Sequence, residues 1–173
     1  GIYMRNNLLN EELLYTGDSK IATRLTLTSY NATEIQEATG SSIKDVNNTL
    51  DNNRINWLQV YGMHDTEIIR DICEHFEIDF LVLQDILNVD HPTKIEEHDN
   101  YMFVIMKLYR FNEVKPDYEL DQQQVAIVQG ANFVLTFLEW ESPIFNGIVN
   151  ALHNNVLKIR TRQSDYLLSV VLN

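Results

Sequence analysis

The sequence predicts an α/β fold, on three observations. Alternating or continuous apolar runs are typical of strands, short amphipathic stretches lie between them, and turn residues separate neighbouring runs. The clearest turn, Gln-Gly-Ala-Asn at 129–132, lies between the apolar runs 124–128 and 133–138 and predicts a hairpin. With 173 residues, 45% of them hydrophobic, the chain is long enough to bury one substantial core.

The other strands are predicted from residue type and alternation. Threonine and leucine alternate within 21–30, which indicates a half-exposed strand. The turn residues at 16–18 make 13–15 its expected hairpin partner. Residues 55–60 are typical of a further strand. The nearly continuous apolar run 101–106 suits a central strand covered on both faces.

Helices are predicted where a start signal precedes apolar residues at helical spacing. Asp65 is a good N-cap for a helix whose apolar stripe lies within 68–76. A second helix is expected at 81–87. Ser142 followed by Pro143 is typical of the first residues of a third helix.

Three segments give weaker patterns. Residues 31–39 are expected to form a short helix, and the asparagine-rich residues 41–54 a loop. An apolar helical stripe begins after Ser164 and reaches Asn173 without a glycine, a proline or a basic last turn. We therefore expect this helix to continue beyond the sequence.

Composition excludes several classes of function. The chain carries 25 acidic and 13 basic residues, for a formal net charge of -12. Such a surface repels phosphate backbones and anionic lipids, so nucleic-acid and peripheral membrane binding are not expected. The single cysteine, Cys73, cannot form an intramolecular disulfide, which fits a reducing compartment. No apolar run reaches the roughly 18 to 20 residues that cross a bilayer.

Residue spacing does not indicate catalysis or a metal motif. There is no glycine-rich phosphate loop, and no spacing suggests the nucleophile, base and orienting acid of a hydrolase, so the protein is not expected to be an enzyme. One group of possible metal ligands surrounds Pro92 but matches no zinc motif, so solvated loop residues are expected there: His91, Glu96, Glu97 and His98.

The block 81–89, Leu-Val-Leu-Gln-Asp-Ile-Leu-Asn-Val, resembles the soluble domain of the CorA family. Asp85 lies in it between apolar residues that must face the core, so its side chain is expected on the exposed side of the helix. The resemblance covers roughly 55–173, because other family segments occur in the same order: Ile55–Leu58, Gly62–His64, Asn100–Phe103, the hairpin from Gln124 to Phe137, and Arg162–Leu168.

This resemblance implies a three-layer α/β/α sandwich with a mixed, largely antiparallel sheet at 1–160, followed by the start of a stalk helix at 161–173. It further implies the cytoplasmic regulatory domain of a homopentameric Mg²⁺ and Co²⁺ channel. That channel would lie in the inner membrane, held there only by C-terminal helices that follow this sequence.

The resemblance also implies a regulatory metal site between subunits. In the family, the aspartate of this block shares Mg²⁺ with an acid on a neighbouring stalk, which assigns Asp85 as a ligand. Gln84 stands where the family often has glutamate, and Asn173 where an aspartate contributes to a second ion site. Both residues keep an oxygen but lose a negative charge, so weaker Mg²⁺ binding is expected.

Two alternatives remain beside this interpretation. The first is the equivalent domain of a zinc- or cobalt-transporting relative, because the soluble domains look alike, and His91 and His98 give it weak support. The second is a freestanding α/β adaptor domain.

Overall fold

The computed structural model describes residues 12–111 and 120–154, and a seven-stranded sheet lies at its centre. The strands are β1 Arg24–Tyr30, β2 Ile35–Gly40, β3 Ile55–Tyr61, β4 Lys94–Glu97, β5 Tyr101–Phe111, β6 Leu120–Gly130 and β7 Phe133–Leu138. The helices are α1 Ile43–Val46, α2 Thr66–His75, α3 Phe80–Leu87 and α4 Asn146–Asn154. Short 3-10 turns follow α1 at Asn47–Thr49 and precede α4 at Pro143–Phe145.

The sheet consists of two antiparallel blocks joined by one parallel pair. Its strand order is β2-β1-β3-β7-β6-β5-β4. Neighbouring strands are antiparallel within β2-β1-β3 and within β7-β6-β5-β4. Strands β3 and β7 pair in parallel, with Leu58 opposite Leu135. The predicted mixed, largely antiparallel sheet is confirmed.

Alternating side chains divide the core between the two faces of this sheet. One face packs against the first three helices through buried residues such as Leu27, Ile72 and Ile86. The other face packs against α4 and the turn before it, where Trp57 meets Phe145. Helices therefore cover both faces, which confirms the three-layer arrangement.

Several local signals act as predicted. The Asp65 carboxylate accepts a hydrogen bond from the Glu67 backbone N–H and caps α2. The Ser142 hydroxyl accepts from the Ile144 N–H, with Pro143 at the first position of the turn that leads into α4. Cys73 is buried, as its place on the apolar stripe predicts, and burial raises the pKa of its thiol to about 12.

The secondary structure predicted for residues 31–39 and for residues 13–15 is wrong. Residues 31–39, predicted as a helix, lead into strand β2, which pairs with β1 from Ile35 to Gly40. Residues 13–15, predicted as a strand, form no strand. Leu13 is buried in the core instead, and the Thr16 N–H donates to the Leu87 carbonyl at the end of α3.

The region 41–54, predicted as a loop, contains the one-turn helix α1. The Asp45 carboxylate accepts from the Ser41 and Ser42 N–H groups at its start, and these two bonds lower the pKa of Asp45. The helix predicted after Ser164, and Asn173 with it, lies outside the described residues.

Helix α2 ends in a motif that normally carries glycine. The Ile78 N–H donates to the Cys73 carbonyl and the Glu77 N–H to the Glu74 carbonyl, which is the bonding pattern of a Schellman motif. Glu77 holds the left-handed position of that motif with φ 57°. A side chain at this position strains the backbone, whereas glycine adopts it readily.

We therefore expect Glu77→Gly to stabilise the protein by about 0.5 to 1 kcal/mol. Urea denaturation measures the change. Glu74→Gly, within α2, is the matched control and is expected to destabilise by about 1 kcal/mol. A Glu77→Gly variant less stable than the wild type would contradict the strain argument.

Candidate functional site

The candidate site lies on helix α3, the segment that carries the family-like block. Its core-facing residues Val82, Leu83, Ile86 and Leu87 are buried against the sheet. Gln84 and Asp85 fall between them at helical spacing and are half-buried. The helix thus presents these two polar side chains at the margin of its packed face.

The C-terminal end of α3 is fixed by hydrogen bonds from three distant parts of the chain. These bonds are Thr16 N to Leu87 O at 3.1 Å, Gln124 Nε2 to Asn88 O at 2.8 Å, and Lys107 Nζ to Val89 O at 3.0 Å. Burial lowers the pKa of Lys107. The Leu87 and Asn88 carbonyls lie at the helix end and lack partners within the helix, so Thr16 and Gln124 satisfy them. Lys107 binds the residue directly after the cap.

The Asp85 carboxylate faces strand β4, and both its oxygens have a partner. Oδ2 lies 2.5 Å from Lys94 Nζ, and Oδ1 lies 3.3 Å from His91 Nε2. The side chain is 27% exposed, so water reaches it only in part. Asp85 therefore lies at the domain surface, paired with the Lys94 ammonium group and in contact with the His91 ring of its own chain.

Lys94 belongs to a longer series of ionisable side chains, here called the charged row: Asp85, Lys94, Glu96, His98 and Asp79. Lys94 Nζ lies 2.8 Å from Glu96 Oε2, Glu96 Oε1 2.8 Å from His98 Nε2, and His98 Nδ1 3.2 Å from Asp79 Oδ2. Lys94 and Glu96 alternate with the exposed Ile95 and Glu97 on β4, which brings them to the α3 side of the sheet.

The pairing within the charged row shifts two pKa values. Burial alone would lower the pKa of Lys94, but the hydrogen bonds and charges of Asp85 and Glu96 raise it overall. The hydrogen bond from Lys94, followed by that from His98, lowers the pKa of Glu96. The possible metal ligands around Pro92 are expected from sequence to be loop residues. This expectation is wrong for Glu96 and Glu97, which lie on β4.

The described residues around Asp85 offer few groups that could hold a metal ion. Within 12–111 and 120–154, no three His, Cys, Asp or Glu side chains are grouped so that they could hold one. Asp85 offers a carboxylate and Gln84 an amide oxygen, both hard donors that suit Mg²⁺. These two residues fit a hydrated ion shared with other groups, and the described residues do not complete a site around them.

Across those same described ranges, no helix combines the length and apolar character that crossing a membrane requires.

Comparison with known proteins assigns the family. A family model described as CorA-like Mg²⁺ transporter protein matches residues 52–173, more than half of the chain. The chain belongs to this family. It is 31% identical over 156 residues to the cobalt/magnesium transport protein CorA of Thermotoga maritima, which covers 90% of this chain and 44% of that relative.

Two solved structures share the fold of this CorA-like chain. Full-length CmaX protein superposes with a TM-score of 0.65 at 12% identity, over 90% of this chain and 45% of its own. The complete CorA magnesium transporter of Methanocaldococcus jannaschii gives 0.62 at 17% identity, over 86% and 43%. This chain thus spans about half the length of the relatives that it matches.

Sequence reasoning named Gln84 and Asp85 in this CorA-like domain but missed the residues that hold them. Lys94, Lys107 and Gln124 come from three different strands. They contact α3, or the two residues that follow it, only in the folded chain. One signal was present: Lys107 directly follows the apolar run 101–106, and a lysine beside a buried strand needs a partner.

Proposed function

We propose that this chain is the cytoplasmic regulatory domain of a CorA-type divalent-cation transporter, and that it senses Mg²⁺ through Asp85. Its role is to regulate transport and not to catalyse a reaction. One observation supports the site above all others: Asp85 lies on a helix with one face buried and its C-terminal end fixed by three hydrogen bonds. Its carboxylate is thereby held at a fixed place on the surface.

The proposed mechanism is a bias between two assemblies. In a homopentamer of the full-length protein, Asp85 and an acid of the neighbouring subunit would share one hydrated divalent ion. Mg²⁺ keeps several of its waters, so two carboxylates that do not touch each other can hold it. Binding favours the assembly in which both carboxylates are close, and depletion of the ion releases it.

Gln84 is expected to set the strength of this site. Its amide offers an oxygen without a negative charge, so attraction to a divalent ion rests on the Asp85 carboxylate and the acid of the neighbouring subunit. Asn173, which lies outside the described residues, would bring only a neutral oxygen to a second ion site.

Asp85→Asn in the full-length protein tests the proposal. It keeps the size of the side chain but removes its charge, so the Mg²⁺ concentration that half-protects the protein from proteolysis is expected to rise by about tenfold or more. Asp71→Asn, which removes the same charge from the exposed side of α2, is the matched control and should leave this concentration unchanged. Equal protection of wild type and Asp85→Asn would disprove the role of Asp85.

One contact favours a second candidate, regulation by a transition-metal ion. His91 Nε2 lies 3.3 Å from Asp85 Oδ1, and imidazole is a ligand of Zn²⁺ and Co²⁺ rather than of Mg²⁺. The same protection assay with Zn²⁺ and Co²⁺ separates the two. Protection at far lower Zn²⁺ or Co²⁺ than Mg²⁺ would favour this candidate.

A further inference from the structure

We propose that Lys94 sets the affinity of the Asp85 site, because its ammonium group occupies the carboxylate whenever no divalent ion is bound. The divalent ion then competes with a cation from the same chain. This inference rests on the proposed role of Asp85, and it adds a residue that determines the ion concentration to which the site responds.

The first support is the position of the ammonium group. Lys94 Nζ lies 2.5 Å from Asp85 Oδ2, a short charge-assisted contact at one of the oxygens that an ion would use. The two side chains are 23% and 27% exposed, so water screens the pair only in part. The same nitrogen lies 5.3 Å from the centre of the Phe103 ring, which further holds it at this place.

The second support is that Lys94 has another partner within reach. Its Nζ also lies 2.8 Å from Glu96 Oε2, on the same side of β4. A lysine side chain is flexible and its ammonium has three donors, so it can release Asp85 and keep Glu96. Displacement by an ion therefore leaves no buried charge without a partner, and the exchange is reversible.

The third support is charge. The ammonium neutralises the single negative charge of Asp85 and would repel a divalent ion placed beside it. Gln84 adds no charge to compensate. Removing the ammonium group should therefore strengthen ion binding. The loss of one positive charge from each subunit acts in the same direction, so a control variant must remove a charge elsewhere.

The test uses Lys94→Met in the full-length protein, because methionine keeps most of the apolar stem and loses the charge. The apparent Mg²⁺ dissociation constant, measured by calorimetry, is expected to fall about three- to tenfold. Lys44→Met is the matched control, since it removes the same charge from the exposed side of α1. Its dissociation constant should equal that of the wild type.

The outcomes separate this inference from the proposed function. If Asp85→Asn weakens binding but Lys94→Met leaves it unchanged, or if Lys44→Met strengthens it as much, Lys94 is no competitor although the Asp85 site stands. If Asp85→Asn leaves Mg²⁺ binding unchanged, both alone and combined with Lys94→Met, the proposed function itself fails. Thermal unfolding in a chelator checks that Lys94→Met folds, and Lys94→Gln gives the same comparison if it does not.

Discussion

Replacing Trp57 with alanine is expected to destabilise the protein by about 3 to 5 kcal/mol. The side chain is completely buried between the sheet and the α4 layer. Its ring meets that of Phe145 edge to face, with centroids 5.4 Å apart, and its Nε1 donates to Thr136 Oγ1 at 3.3 Å. Alanine would leave a cavity at the point where this layer is attached to the sheet.

Guanidinium denaturation measures this change, with two controls. Trp57→Phe keeps an aromatic ring but leaves the Thr136 hydroxyl without its donor, so about 1 to 2 kcal/mol should be lost. Trp140→Ala alters the other, exposed tryptophan and should change stability by less than about 1 kcal/mol. A cost for Trp57→Ala no greater than that for Trp140→Ala would contradict the assigned packing.

The second large effect is expected at Arg54, where Arg54→Leu should destabilise the protein by about 2 to 4 kcal/mol. The side chain is 8% exposed, and it donates to three groups: Ser29 Oγ at 2.9 Å, Glu34 Oε1 at 3.1 Å and Thr49 O at 2.9 Å. Leucine would leave these acceptors without their donor. Glu34 is 50% exposed and regains water, which keeps the cost below that of breaking a fully buried pair.

Urea denaturation of Arg54→Lys and Arg24→Leu completes this test. Lysine keeps the charge but cannot donate in three fixed directions, so Arg54→Lys should fall between the wild type and Arg54→Leu. Arg24 is exposed at the start of β1, and Arg24→Leu is expected to change stability by no more than about 0.5 kcal/mol. Equal losses for Arg54→Leu and Arg24→Leu would show that the buried bonds contribute nothing.

The elements predicted correctly are those whose cause lies within a few residues. The caps at Asp65 and Ser142 act on backbone groups two positions away, and the hairpin at 129–132 joins strands that are adjacent in sequence. Neighbouring side chains suffice to specify such features, so the sequence shows them directly.

The elements predicted wrongly depend on partners far along the chain. Residues 34–38 contain good helix formers, but pairing with β1 over the whole of β2 outweighs that preference. Leu13 is buried in the core, and the nearby Thr16 bonds to the end of α3, neither of which a local pattern reveals. Intrinsic helix or strand propensity is a weak signal where tertiary contacts decide which secondary structure forms.

The candidate site shows the same division. The half-buried place of Gln84 and Asp85 on α3 follows from helical periodicity within one segment. Contact between Asp85 and Lys94 follows from the pairing of β4 with β5, which places Lys94 opposite Ile105. Strand β4 could not be predicted from residues 94–97, because the charged residues of this segment are not typical of a strand.

The parallel pair β3–β7 has a consequence for cooperativity. Each antiparallel block is built mainly from strands that follow one another closely in the chain, whereas Tyr61 reaches Leu138 only after all of β4, β5 and β6 has intervened. Closing that long loop has the largest entropic cost in the sheet. Formation of the central pair therefore costs more entropy than pairing within either block, and the contacts within both blocks help to offset that cost.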